Sequence, residues 1–341
     1  MKKTIKIISK HKNYSVIVEN DNIIQNIINE IKLVNKTIII IDAKLVVLIK
    51  ELNSIKNIHL IKVSGGEKIK SLKSFSKICS DILKLKIDRS SLLIAVGGGT
   101  VGDLGGFVAS TLLRGIKFIL VPTTLLAQVD SSIGGKNGVN TNFGKNLIGT
   151  FYQPEKVFID ISFLSTLPER ELRSGYAEIL KHALIKDRKF FKWLDENYQK
   201  IKILKKSYIS KAIIESIKIK AYFVQKDEYE KLKDSNSRAM LNYGHTFGHA
   251  LETLNNYAND LNHGEAIAIG MALAAKISNK IGDLNDKDYK NIILHLKKAN
   301  LPIYDKKINY SKFYNLMLND KKNTNNKINL ILLKKIGQAH F

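Results

Sequence analysis

The sequence predicts an α/β protein in two parts: an N-terminal domain built on a parallel sheet, and a mostly α-helical C-terminal domain. Three observations carry this. Short apolar runs rich in β-branched residues alternate with helical patterns in the first half. A glycine-rich loop joins one such run to a helix. From about Pro168 onward, long helical patterns dominate. A chain of 341 residues is also long for one core and suits two domains.

The elements follow in order. "MKKTIKIISKHKNYSV" reads as a first strand, because its basic residues lack the uninterrupted apolar segment of a signal peptide. "DNIIQNIINEIKLV" opens with an Asp cap and repeats apolar residues at helical spacing, as does "SLKSFSKICSDILKLK". "KTIIIID" (Lys36 to Asp42), "NIHLIKV" (Asn57 to Val63), "SLLIAV" (Ser91 to Val96) and "KFILVP" (Lys117 to Pro122) are short, strongly apolar runs. Such runs suit parallel strands buried on both faces. "GTFYQPEKVFID" places the boundary near residue 155, giving domains 1–155 and 156–341. Beyond it come the helical patterns "ERELRSGYAEILKHALI", "SKAIIESIKIKAYFV" and "GEAIAIGMALAAKIS". "NDKKNTNNK" (Asn319 to Lys327) reads as a polar loop, and "KINLILLKKIGQAHF" as a small hairpin.

Composition narrows the function. Apolar residues are 44% and charged residues 25% of the chain, the ordinary balance of a folded globular protein. No uncharged apolar run reaches the length of a membrane span. Cys79 is the only cysteine, which excludes an intramolecular disulfide and fits a reducing cytoplasm. The net charge of +24 raises the question of nucleic acid. However, the only arginines are Arg89, Arg114, Arg170, Arg173, Arg188 and Arg238, and the lysines are scattered. That pattern favours compositional drift over a nucleic-acid surface, which would use arginine's planar fork. The positive field would still attract small anionic substrates.

Gly97, Gly99 and Gly102 of "IAVGGGTVGDLGGFVAS" fit G-x-G-x-x-G between a strand and a helix. Such a loop either makes a tight turn or brings backbone N–H groups to a phosphate; the strand-to-helix context favours the phosphate. No acid follows about twenty residues on to hold a ribose. Asp42 ends an earlier strand and has two readings, ribose holder or helix N-cap. "VPTTLLAQVDSSIGGKNGVNTNFGKNLIG" gathers Thr123, Thr124, Asp130, Lys136, Lys145 and Asn146 among glycines and small polar residues, which reads as a long functional loop.

"LNYGHTFGHALETL" carries His245 and His249 four residues apart, each after a glycine, with Glu252 three residues further on. His263 and the upstream Glu178 complete a constellation. Two histidines and one carboxylate are a catalytic zinc pattern with an open position. The generic reading pairs His245 with His249 on one helical face, as in H-E-x-x-H proteases. Thr246 stands where that motif needs Glu, which argues against a peptidase. The competing reading is a set of buried, hydrogen-bonded histidines.

Taken together, "GGGTVGDLGGFVASTLLRG", "VPTTLLAQVDSSIGGKNGVN", "GKNLIGTFYQP", "LPERELRSGYAEILKHALI", "LNYGHTFGHALE" and "HGEAIAIGMALA" closely resemble the 3-dehydroquinate synthases of the sugar phosphate cyclase group. The motifs run in family order over nearly the whole chain. One departure is Asn137, where the resemblance leads one to expect threonine.

The resemblance implies that the first domain, 1–155, is a Rossmann-like NAD-binding domain with a parallel sheet and the second, 156–341, a mostly α-helical metal- and substrate-binding one. It implies NAD, a divalent metal (zinc, with cobalt the alternative), a phosphorylated sugar-acid substrate and a cytoplasmic homodimer, with no nucleic-acid or membrane partner. By motif, the NAD site would comprise Asp42, Glu67, Lys70, Gly98, Gly99, Asp103, Thr123, Thr124, Lys136, Lys145, Phe163, Thr166 and Leu167. Glu178, His245 and His263 would bind the metal. Asp130, Lys136, Lys181, Lys220, Arg238, Asn242 and His249 would meet substrate, with Lys321 or Lys322 reaching in. The implied reaction is transient NAD oxidation, phosphate elimination, re-reduction and aldol closure. Two rivals share such a scaffold: another sugar phosphate cyclase, and a metal-dependent polyol dehydrogenase that would accumulate NADH.

Overall fold

The computed structural model describes residues 2–21, 23–254, 261–305, 310–318 and 328–341. The chain divides into two compact units, Met1–Leu167 and Pro168–Phe341.

The first unit holds strands β1 (Lys3–Ile7), β2 (Tyr14–Glu19), β3 (Thr37–Asp42), β4 (Ile58–Val63), β5 (Leu92–Gly97), β6 (Lys117–Pro122), β7 (Lys136–Thr141), β8 (Gly144–Phe151) and β9 (Lys156–Asp160). Its helices are α1 (Ile23–Ile31), α2 (Leu72–Lys84) and α3 (Gly99–Thr111). The main sheet runs β1-β2-β9-β6-β5-β3-β4. Every pairing in it is parallel except that of β1 with β2. The four consecutive isoleucines Ile38 to Ile41 are all fully buried. This is the consequence of a parallel sheet covered on both faces, where side chains pointing either way meet apolar neighbours. Ile39 and Ile41 join Ile94, Val96, Ile119 and Val121 in one core with Ile23, Ile27 and Ile31 of α1. On the opposite face α3 comes close: a Cβ on Gly105 would lie 2.7 Å from Ala95 Cβ.

Two sequence expectations need correction. The N-terminal stretch is two antiparallel strands rather than one, because "SKHKN" makes the turn between them. The segment read as a long loop contains the hairpin β7–β8. Its polar and glycine content hides the alternation that marks a strand. Gly138 and Val139 supply its buried side, and Asn137 lies against α3, where a Cβ on Gly106 would overlap its Oδ1.

The second unit contains α4 (Glu169–Lys186), α5 (Arg188–Lys202), α6 (Lys206–Lys226), α7 (His245–Leu254), α8 (His263–Lys280), α9 (Asp286–Lys298) and α10 (Tyr310–Leu318). Strands β10 (Leu332–Lys335) and β11 (Gln338–His340) form the expected hairpin. It is tied to the helices by Leu333 N donating to Ser278 Oγ and Gly337 N donating to Leu184 O. Helix α4 buries every residue from Ser174 to Ile185. A helix apolar on all sides would suit such a place, yet α4 carries Glu178, Lys181 and His182 there. Charges in that position need partners, and the partners define a site.

Candidate active site

In the first unit, the chain steps outward from β3 to β4 and then crosses back to β5, so the switch point lies between β3 and β5. Ligands of open α/β sheets bind outside the strand C-termini at that point. Asp42 ends β3 and the glycine loop ends β5. Asp42 is in fact a helix cap, accepting from Lys44 N at 3.1 Å. A Cβ on Gly65 would lie 2.1 Å from its Oδ2, so glycine leaves space for that carboxylate. Gly98 caps α3 with no side-chain hydrogen bond. The first-turn N–H groups of α3 therefore have the geometry to receive an anion. A small cleft here is lined by Gly97, Gly98, Gly99, Gly102, Asp103 and Ser131.

Around it, Lys70 donates to Asp103 Oδ2 and to Asn146 Oδ1, both at 2.6 Å. Glu67 accepts from Asn140 at 2.7 Å. These bonds tie the Glu67–Lys70 turn to α3 and to the hairpin. Thr123 N donates to Gly97 O, and Thr124 Oγ1 accepts from Ala127 N. Asp130 lies in a single π-type turn, Ala127–Ser131. Lys136 stands 6.0 Å from the centre of the Phe151 ring, and Lys145 lies on β8. Phe163 packs into the core, Thr166 Oγ1 donates to Phe163 O, and Leu167 caps the turn Ile161–Thr166. Asn137 donates to the carbonyls of Gly135 and Tyr152, a structural task beneath Lys136.

In the second unit, glycines decide how the helices meet. A Cβ on Gly270 of α8 would lie 2.0 Å from Gly244 O, and one on Gly248 would lie 2.6 Å from Ile267 Cδ1. Gly244 also has φ +79°, a conformation L side chains disfavour. The glycines before His245 and His249 thus let α7 rest directly on α8. Helix α8 is fixed to α4 in turn. Asn262 and Glu265 form a capping box, and Arg170 holds Glu265 with two bonds at 2.9 and 2.7 Å. Gly264 sits so close to Ser174 that a Cβ would overlap its backbone.

This packing brings Glu178, His245 and His263 together with ligand atoms within 4.8 Å of one another. Glu178 Oε1 lies 3.8 Å from His245 Nε2 and 3.4 Å from His263 Nε2. Its other oxygen is ion-paired with Lys181. The outer ring nitrogens also face acceptors: His245 Nδ1 lies 3.3 Å from Tyr243 O, and His263 Nδ1 lies 3.6 Å from Glu252 Oε1. A carbonyl beside Nδ1 calls for the proton there and makes Nε2 the Lewis-basic atom. One carboxylate and two imidazoles fit a divalent metal of the zinc type.

The electrostatics agree. Burial opposes charge on His263, but Glu178 and Glu252 outweigh it and push its pKa up to about 10. The cluster therefore favours a cation. Protonated His263 stabilises the fold fully below its ordinary pKa, 6.5. That contribution is lost as pH rises through about 10. A metal must displace this proton. Metal affinity should thus rise with pH across that window. Calorimetry at pH 7 in buffers of different ionisation enthalpy should show about one proton released per metal bound.

His249 lies beside His245, ring centres 5.3 Å apart and nearly perpendicular. Lys181 and Lys220 are buried on α4 and α6. Arg238 is buried and donates to Glu228 O at 2.7 Å, while Asn242 donates to Glu230 Oε1 at 2.6 Å. Lys321 and Lys322 lie outside the described residues. Three acids of "KDEYE" were not singled out in the sequence. Asp227 in particular accepts from Lys231 N, Leu232 N, Arg238 N and Ser237 Oγ. Burial raises its pKa, but these bonds outweigh it and hold the carboxyl below its usual range. The signal was the acid run just before Arg238.

The family model described as "3-dehydroquinate synthase N-terminal" matches residues 60–174, and its C-terminal counterpart matches 175–323. A 3-dehydroquinate synthase of Pelagibacter ubique is 49% identical over 84% of this chain and 77% of its own length. That of Helicobacter pylori is 44% identical over 90% of this chain and 88% of its own. Among solved structures, a 2-deoxy-scyllo-inosose synthase complexed with carbaglucose-6-phosphate, NAD+ and Co2+ has TM-score 0.88 and 28% identity, covering 99% of this chain and 94% of its own. A 2-epi-5-epi-valiolone synthase from Streptomyces hygroscopicus subsp. jinggangensis, with NAD+ and Zn2+ bound, has TM-score 0.88 and 26% identity, covering 98% and 93%. A glycerol dehydrogenase of Schizosaccharomyces pombe shares the fold alone, at TM-score 0.67 and 15% identity.

The parallel α/β unit with its glycine loop and the helical unit are a framework that dehydrogenases also share. The matches over residues 60–323 and the likeness to two synthases at TM-score 0.88 separate the chain from them and set it among the sugar phosphate cyclases. The chain is an enzyme of that class. Within it, the chain belongs to the 3-dehydroquinate synthase family.

Proposed function

We propose that Glu178, His245 and His263 hold the divalent metal, zinc or cobalt, and that the loop at Gly98 and Gly99 holds NAD. The observation that carries this is the convergence of three ligand atoms within 4.8 Å, with His245 Nδ1 turned toward a backbone carbonyl. The reaction converts 3-deoxy-D-arabino-heptulosonate 7-phosphate to 3-dehydroquinate and phosphate, in the shikimate pathway. When bound, NAD supplies a transient hydride acceptor and the metal a Lewis acid.

The chain's own residues bind, orient and move protons. Asp42, Glu67, Lys70, Asp103, Thr123, Thr124, Lys145, Phe163, Thr166 and Leu167 complete the NAD site. Asp130, Lys136, Lys181, Lys220, Arg238 and Asn242 hold the substrate's polar groups, the cations facing its carboxylate and phosphate. Asp227 keeps Arg238 in place through its backbone N–H. His249, an imidazole beside the ring of His245, moves a proton. The enzyme works as a cytoplasmic homodimer. The first unit, which keeps β9 in its main sheet and so runs to Leu167 rather than ending near residue 155, serves NAD, and the helical unit holds the metal.

Turnover tests this reading. Protein supplied with metal and catalytic NAD should release phosphate from the heptulosonate and form 3-dehydroquinate with no net NADH. Stoichiometric NADH without phosphate would point to a polyol dehydrogenase.

A further inference from the structure

Glu252 is the acid of "LNYGHTFGHALETL" that the assigned roles leave unused. It is buried, at 9% exposure, and a carboxylate is not kept there without a partner. Its position supplies one. Glu252 follows His245 by seven residues on α7, nearly two helical turns, so both share one helical face. From that face Glu252 Oε1 reaches to 3.6 Å of His263 Nδ1. The opposite nitrogen, Nε2, faces Glu178. An imidazole ligating through Nε2 carries its proton on Nδ1, and an acceptor there fixes ring orientation and tautomer.

We propose that Glu252 is a positioning residue that accepts the Nδ1 proton of His263 and presents Nε2 to a divalent metal. Helix α7 thus supplies one ligand, His245, and the group that orients another. This rests on the metal reading of the cluster. It differs from His245, whose orienting group is the Tyr243 carbonyl.

The test is cobalt titration of the full chain, followed by its visible absorption bands and dissociation rate, for wild type, Glu252→Ala, Glu252→Gln and His245→Ala. Loss of an outer-shell partner weakens metal binding about 10–100-fold. Glu252→Ala should fall near the upper end. Glu252→Gln, which keeps an acceptor, should fall near the lower end with shifted bands. A purely structural Glu252 would lower thermal stability and leave affinity and bands unchanged, which overturns the proposal. Should the alanine variant fail to fold, the glutamine variant decides by the same two readouts. A wild type that takes up no stoichiometric cobalt, or a His245→Ala that binds as wild type, overturns the metal reading itself.

Discussion

His245→Ala is expected to lose the metal, while His249→Ala keeps it and loses turnover. The two histidines sit four residues apart on one helix, yet their surroundings differ. His245 Nε2 points toward Glu178 and its Nδ1 toward a carbonyl. His249 shares no such cluster among the described residues and stands at the edge of the His245 ring. Removing a ligand should cost more than the roughly 10–100-fold loss of an outer-shell partner, and phosphate release should fall by about 10³-fold or more. Removing a proton-transfer group should cost about 10²–10⁴-fold in kcat. Elemental analysis of the two purified variants beside wild type separates them. Equal metal loss in both would restore the simple i,i+4 ligand pair.

Gly270→Ala is expected to destabilise the helical unit and weaken metal binding together. In an ordinary helix this change stabilises by about 1 kcal/mol. Here the new methyl would lie 2.0 Å from Gly244 O, a backbone atom that cannot swing aside. Overpacking of this kind costs about 1–3 kcal/mol or more, so the clash reverses the sign. The displaced carbonyl adjoins His245, so metal affinity should fall with the melting temperature. A raised melting temperature with unchanged affinity would show that α7 and α8 have slack.

How much of this was legible in the sequence depends on the residue. The strands β3, β5 and β6 read plainly, because a parallel sheet buries both faces and leaves apolar runs such as "TIIIID". The β7–β8 hairpin did not, since its buried side is glycine and one valine resting on α3. Gly244, Gly248 and Gly270 were visible as residues but not as reasons. What they permit is contact between α7 and α8, which no periodicity reports. Glu178 stood in the constellation as a carboxylate of the right type. The choice of Glu178, His245 and His263 over the His245–His249 pair came from resemblance, since 67 residues separate Glu178 from His245 and only tertiary packing through Ser174, Gly264 and Arg170 closes that gap. Asp42 had two readings, and the cap is real. A carboxylate with one oxygen on Lys44 N retains acceptor capacity for a ribose.

Anomalous diffraction from crystals grown with zinc or cobalt would locate the metal. One strong peak is expected in the second unit, bonded to a Glu178 oxygen and to Nε2 of both His245 and His263, with Glu252 on the Nδ1 of His263. A peak bonded to His245 and His249, or none at this cluster in crystals of metal-saturated protein, would contradict the metal assignment.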